Sequence, residues 1–186
     1  MKIKLFLAFF GCFVANITVA QNLNNSWQLG LGSGITKFSK SDVSYIGEQY
    51  IFQLPRISLT MPIGERLSFD GAISFNTVYD YGFVKNDVRY FSMDGSLRYN
   101  FDVVINKVDP YVFVGGSLVD SERKMTPTLN VGAGGIFWIS DRVGINPQVY
   151  YKHSLESFES MRSHFQGALG IIFELDWNNL FEGGNY

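Results

Sequence analysis

From Arg89 to Val103 the chain alternates without a break. Phe91, Met93, Gly95, Leu97, Tyr99, Phe101 and Val103 fall on one parity, and Ser92, Asp94, Ser96, Arg98 and Asn100 on the other. Among regular structures only a β-strand separates two such sets, because its side chains leave alternately from opposite faces. The pattern recurs along the chain. Leu67, Phe69, Gly71, Ile73, Phe75, Thr77 and Tyr79 oppose Ser68, Asp70, Ala72, Ser74 and Asn76; Val143, Ile145, Pro147, Val149 and Tyr151 oppose Gly144, Asn146, Gln148, Tyr150 and Lys152. Near the C-terminus Phe165, Gly167, Leu169, Ile171, Phe173 and Leu175 oppose His164, Gln166, Ala168, Gly170, Ile172 and Glu174, with Ile172 the one misfit. Trp27 to Thr36 and Pro55 to Met61 read the same way. Pro110 to Val119 and Thr128 to Ile139 are strand-like, but their glycines leave the inward face of each unassigned. The pattern predicts eight strands and an all-β fold.

Composition agrees. Seventeen Phe and ten Tyr stand beside nineteen Gly, a pairing that a helical protein would not carry. With 46% hydrophobic and 17% charged residues the chain has too much to bury to stay disordered, and a formal net charge of -2 leaves no basic excess for nucleic acid.

The first residues read as an address. Lys2 and Lys4 precede an apolar run from Leu5 to Ala15, and Thr18-Val19-Ala20 supplies a small-residue cleavage site: the parts of a secretory signal peptide. The run is too short for a membrane-spanning helix, and Cys12 lacks the context of a lipid-attachment site. The expected organisation is a cleaved signal peptide over 1–20, a barrel over 21–175 and a short periplasmic tail over 176–186. Removing 1–20 takes two of fifteen basic residues and leaves thirteen against seventeen acidic ones, with no cysteine. A disulfide framework, a thiolate metal site and a cysteine nucleophile are thereby excluded from the mature chain. With only two His, no transition-metal site and no cofactor are expected.

Connections between the strands alternate in length. Short ones are expected at 62–65, 105–109 and 140–142, longer polar ones at 39–49, 80–88, 120–127 and 154–163. In an up-and-down meander the two kinds segregate to opposite rims, as in an outer-membrane barrel. A soluble eight-stranded barrel also alternates, so the identity of the polar face decides. Here that face is Ser, Gly, Asn, Gln and Ala with few charges, small enough for a narrow lumen, while the other face is almost free of charge and suits lipid. Two aromatic girdles are expected. Tyr50, Phe52, Tyr79, Tyr81, Tyr90, Phe91 and Tyr151 would lie near the long-loop rim; Phe69, Tyr99, Phe101, Trp138, Phe173 and Trp177 near the short-turn rim.

The phrases Pro55-Arg56-Ile57-Ser58-Leu59, Pro110-Tyr111-Val112, Asn130-Val131-Gly132-Ala133-Gly134-Gly135 and Ser140-Asp141-Arg142-Val143-Gly144 are similar to recurrent wording in porin-family barrels. The chain from Trp27 to Leu175 resembles the small eight-stranded outer-membrane barrels of the OmpA transmembrane-domain and OmpX type. The resemblance implies an antiparallel up-and-down transmembrane barrel in the outer membrane, in contact with membrane lipids and lipopolysaccharide. It also implies a terminal-strand signal for the barrel-assembly machinery, here Gly167, Ile171 and Phe173, although this chain continues past the aromatic residue that usually ends such signals. No cell-wall-binding domain is implied.

Arg56, Asp70, Asp94, Arg98 and Glu174 are the charges expected inside the barrel, with Lys152 and His164 nearer the loop rim. Counted from the short turns, Arg56, Asp70 and Arg98 fall at similar depth on successive strands, which predicts a cross-strand ladder, since buried charges persist only when partnered. Three functions follow. The first is a non-enzymatic structural or partner-binding barrel, in one version an accessory subunit of an envelope complex. The second is a narrow channel for ions or very small solutes, and the third a lipid A-modifying enzyme. For the last, His153, Ser154 and Glu156 supply the parts of a nucleophilic triad, but adjacent residues on a strand point to opposite faces, unlike the spacing of PagL-type sites. Gly30, Gly32 and Gly34 imitate a phosphate loop without the helix that must follow, so close packing in the lumen is their expected role. Ser121 to Lys124 spells a β-lactamase-type motif without its companions. Tyr45, Tyr81, Phe83 and Phe158 could be loop contacts for a partner.

Overall fold

The structure is a computed structural model, described here for residues 26–43, 49–76, 89–101, 108–120, 125–156 and 162–175. The proposed signal peptide, the tail, and the expected contacts and girdle members Tyr45, Tyr79, Tyr81, Phe83, Phe158 and Trp177 lie outside these residues, as does the motif at 121–124. Eight strands run in order: β1 (Trp27–Lys37), β2 (Tyr50–Pro62), β3 (Leu67–Phe75), β4 (Phe91–Asn100), β5 (Val108–Asp120), β6 (Met125–Trp138), β7 (Val143–Ser154) and β8 (His164–Leu175). Each pairs antiparallel with its sequence neighbours, and β1 closes on β8 from Trp27↔Leu175 to Lys37↔Phe165. Closure leaves no edge with unpaired backbone groups. Strands β2, β4 and β6 end at one rim, the turn side, and strands β1, β3, β5 and β7 end at the other, the loop side.

Strand boundaries differ from the sequence reading at several points, among them β4, which ends at Asn100 rather than Val103, and β5, which begins at Val108 rather than Pro110. The expected long connection at 120–127 shrinks to 121–124, because β5 and β6 remain paired as far as Asp120↔Met125. Strand β2 begins at Tyr50 rather than Pro55, and the reason is a bulge. Gly32 pairs with Arg56 but Gly34 with Gln53, so β2 carries the extra residue at Leu54-Pro55. Inward parity is odd before the bulge, with Ile51 and Gln53, and even after it, with Arg56 and Thr60, so a single period-two pattern cannot span both halves.

The wall is inverted relative to a water-soluble barrel. Among the described residues the buried polar or charged side chains number nineteen against ten buried hydrophobic ones, and twenty-seven large hydrophobic side chains are exposed. Leu31, Ile57, Ile73, Met93, Val114, Leu129, Val149 and Leu169 place this apolar surface on all eight strands. Both glycine-rich strands now have an assigned interior. In β5 Tyr111, Ser117 and Val119 are buried while Val112, Val114 and Leu118 face out; in β6 Thr126, Thr128, Asn130 and Ile136 are buried while Leu129 and Val131 face out.

Candidate functional site

The lumen is where this chain concentrates its chemistry. Asp94 on β4 lies at its centre. Its two carboxylate oxygens accept from Lys152 Nζ on β7 at 2.6 Å and from Arg56 Nη1 on β2 at 2.9 Å. Arg56 Nη1 also donates to Ser74, its cross-strand partner on β3, and Nη2 reaches Gln148 at 3.5 Å. Three strands are thus tied across the interior by one carboxylate, and both cations stand against the ring of Tyr150, with Lys152 Nζ 5.6 Å and the Arg56 guanidinium 5.8 Å from its centroid.

On the loop side of Asp94 a chain of neutral groups crosses the barrel. Tyr90 donates to Gln166 at 3.3 Å and lies 3.2 Å from His164 Nε2, and Lys152 Nζ approaches its hydroxyl at 3.5 Å. Gln166 donates to Gln53 at 2.9 Å, which donates to Thr36. On the turn side, Tyr111 donates to Asn146 and accepts from Gln148 at 2.8 Å. Tyr111 can make that reach because Gly134, which stands between Tyr111 and Gln148 in the ladders, has no side chain; a Cβ there would meet the Tyr111 hydroxyl. Gly132 does the same for Phe113 and Tyr150, whose rings meet edge to face at 5.6 Å. The porin-like glycine phrase on β6 is therefore a pair of gaps over which aromatics from the flanking strands interlock.

Arg98, nearer the turn side, is treated differently. Its guanidinium lies 3.5 Å from the centroid of the Tyr111 ring, Nε donates to Asn100 at 3.0 Å, and Nη1 is buried without a hydrogen-bond partner. Asp70 accepts from Thr60 at 2.7 Å. The expected ladder of Arg56, Asp70 and Arg98 is corrected: Arg56 reaches past β3 to Asp94, Asp70 settles on the hydroxyl directly opposite it, and Arg98 stacks on an aromatic. Glu174 stands at the turn-side end of β8, opposite Gln28, apart from the Asp94 group. Lys152, expected only near the rim, completes that group because its long stem reaches down from β7. Alternation carried the signal for it, since Lys152 shares a parity with the buried Asn146 and Tyr150.

Packing within the lumen is tight. A Cβ on Gly30 would strike the Ser58 hydroxyl, and one on Gly32 the carbonyl of Leu169 across the β1–β8 seam, so close packing is what these glycines provide. A cavity of about 10 Å³, lined by Gly30, Ser58, Arg56, Asn146 and Gln148 among others, has room for about one water.

The girdle expectation needs correction at Tyr90, which is wholly buried in the lumen because it shares the inward parity of Ser92. Trp138 is likewise on the inward parity of Ile136, where its Nε1 donates to Asp109 at 2.5 Å. Tyr50 does face outward at the loop-side rim, as does its neighbour across β1, Phe165, and Lys37 emerges from β1 between them with its Nζ 5.9 Å from the Tyr50 ring. At the same rim His153 bonds Ser163 at 3.3 Å, while the Ser154 hydroxyl bonds the Glu156 carbonyl oxygen at 2.7 Å. Gly167, Ile171 and Phe173 lie on the outward parity of β8, paired on both sides. Among the described residues no three His, Cys, Asp or Glu side chains gather to hold a metal ion.

No family model and no curated protein matches the sequence. Solved structures do match the fold. The N-terminal β-barrel domain of Pseudomonas aeruginosa OprF aligns with a TM-score of 0.59 at 12% identity, over 82% of this chain and 100% of that one. Neisserial surface protein A aligns at 0.58 with 16% identity, over 80% and 96%. Ail, the attachment invasion locus protein of Yersinia pestis, aligns at 0.53 with 12% identity, over 82% and 100%. The chain thus has the fold of the small eight-stranded outer-membrane barrels, as the resemblance to the OmpA and OmpX type implies.

Proposed function

We propose that this chain is an integral, non-enzymatic barrel of a bacterial outer membrane. Its lumen is closed, and it acts through its surface as a structural or partner-binding component of the envelope. The observation that carries the reading is the inversion of the wall: large apolar side chains exposed on every strand, around an interior whose central carboxylate is held by two cations. In water such a surface drives aggregation; among acyl chains it is required, and the closed ladder satisfies the backbone where no water is present. Likeness in fold to outer-membrane barrels supports the location.

The same reading gives the chain membrane lipids and lipopolysaccharide as surroundings, export through the N-terminal signal peptide, and insertion by the barrel-assembly machinery through Gly167, Ile171 and Phe173. It favours a closed lumen over a channel because the side chains bond across the interior from β2, β4 and β7. It favours a non-enzyme because His153 and Ser154 hydrogen-bond to different partners, Ser163 and the Glu156 backbone. The test is fractionation followed by reconstitution. The protein should partition with outer membranes, require detergent to stay monomeric, and leave planar bilayers silent. A processed chain that is monomeric without detergent would overturn the reading.

A further inference from the structure

Among the described residues, an apolar cluster stands at the loop-side end of the lumen. Phe38, Ile51, Tyr90 and Val119 form one cluster of buried hydrophobic side chains, each no more than 1% exposed. Their places in the barrel matter. Phe38 directly follows β1 and Val119 lies near the end of β5, and these strands are diametrically opposite in the closed order of eight. A cluster that includes both therefore spans the bore. Phe38 also packs on the His164 ring at 4.8 Å between centroids, which ties the cluster to β8.

The backbone fixes the two residues that lie outside the strands. Phe38 N donates to Gln49 O at 2.9 Å, which extends the β1–β2 ladder past its last paired residue. Asn76 N donates to Tyr90 O at 3.0 Å and Asn76 Oδ1 accepts from Tyr90 N, which does the same for β3–β4. These rings are held in place by the sheet itself.

Below this layer the lumen is polar and ionic down to Tyr111. An ion in transit can exchange partners with Asp94, Arg56 and Lys152, but it gains nothing from the side chains of Phe38, Ile51 and Val119 or from the ring of Tyr90, whose hydroxyl is turned to Gln166 and His164, and a narrow apolar constriction excludes water. We infer that the barrier to ions in this barrel is the apolar cap of Phe38, Ile51, Tyr90 and Val119 at the loop-side mouth, and not the Arg56–Asp94–Lys152 group beneath it. The inference rests on the closed-lumen reading.

Planar-bilayer recordings of purified protein test it, with wild type, Phe38→Ala, an Ile51→Thr/Val119→Thr double variant and Asp94→Asn compared. Migration on unheated and heated denaturing gels confirms that each is folded. The double variant nearly keeps the volume of the cap and wets it, so it tests the barrier even if Phe38→Ala fails to fold. Wild type and Asp94→Asn should give a flat baseline, and the cap variants resolved current steps. Silent cap variants beside a silent wild type would overturn the cap while leaving the closed lumen intact. Steps from Asp94→Asn with the cap unaltered would overturn it in favour of an ionic barrier. Steps from wild type would overturn the closed-lumen reading, and the cap with it.

Discussion

Arg56 and Arg98 are both buried on the inner wall of this barrel, and the two halves of the lumen accommodate them in different ways. On the loop-facing side of centre Arg56 meets a carboxylate that Lys152 also holds, and Ser74 and Gln148 take up further guanidinium hydrogens. Toward the turn side Arg98 meets an aromatic face and one amide oxygen, and its Nη1 has no protein partner. The first arrangement is a network in which every member depends on one residue. The second is a stack that depends mainly on shape. A buried charge in a narrow lumen can be stabilised by opposite charge or by a polarisable ring, and the two solutions should fail differently when a partner is removed.

Asp94→Asn should show the largest difference. It keeps the size of the side chain but leaves Arg56 and Lys152 as two buried cations without a counter-charge, a loss on the order of 3–5 kcal/mol. The measurement is urea unfolding in lipid vesicles. The double variant Asp94→Asn/Lys152→Met should recover part of the loss, because one of the two stranded charges is gone. A single variant as stable as wild type would dissolve the distinction between the halves.

Arg98→Ala comes next. It removes the cation over Tyr111 and the donor to Asn100 but breaks no ion pair among the described residues, so about 1–3 kcal/mol is expected. Its thermal midpoint in detergent should fall by less than that of Asp94→Asn. Arg98→Lys sharpens the point: it keeps the charge and loses the planar stack, so it should restore little of the stability. Full rescue by lysine would mean that charge, not stacking, holds this half together.

Most of the architecture was legible because one physical constraint wrote it repeatedly. A strand whose faces meet different surroundings must alternate, so Phe91 to Asn100 could be divided residue by residue before any coordinates. The same rule failed at Tyr50 to Leu54, where a bulge exchanged the parities, and at Tyr90, where aromatic character suggested the membrane interface although parity pointed inward. In the lumen, alternation identified Asp94, Arg56 and Arg98 as inward charges but could not pair them. Pairing across a closed barrel depends on stagger and side-chain reach, and Lys152 joins Asp94 from three strands away. The glycines Gly132 and Gly134 were visible as a motif, but their service to Tyr150 and Tyr111 appears only when the neighbouring strands are in register.

The smallest expected effect lies on the outer wall, where the contrast with the lumen is sharpest. Leu129 is 55% exposed on β6, at the apolar face. Leucine-to-alanine changes in a packed core cost about 2–5 kcal/mol, because a cavity remains where the side chain was. Acyl chains are fluid and would occupy the space vacated at Leu129, so no cavity persists. Leu129→Ala should therefore fall well below that core range in vesicles, and below Arg98→Ala. Val119→Ala, a smaller deletion but inside the bore, should cost more than Leu129→Ala despite removing fewer atoms, since nothing fluid can reach the gap at the cap. If the order of these two variants were reversed in the same lipid, the outer face would be packed against a solid partner rather than bathed by lipid, and Leu129 would mark where that partner sits.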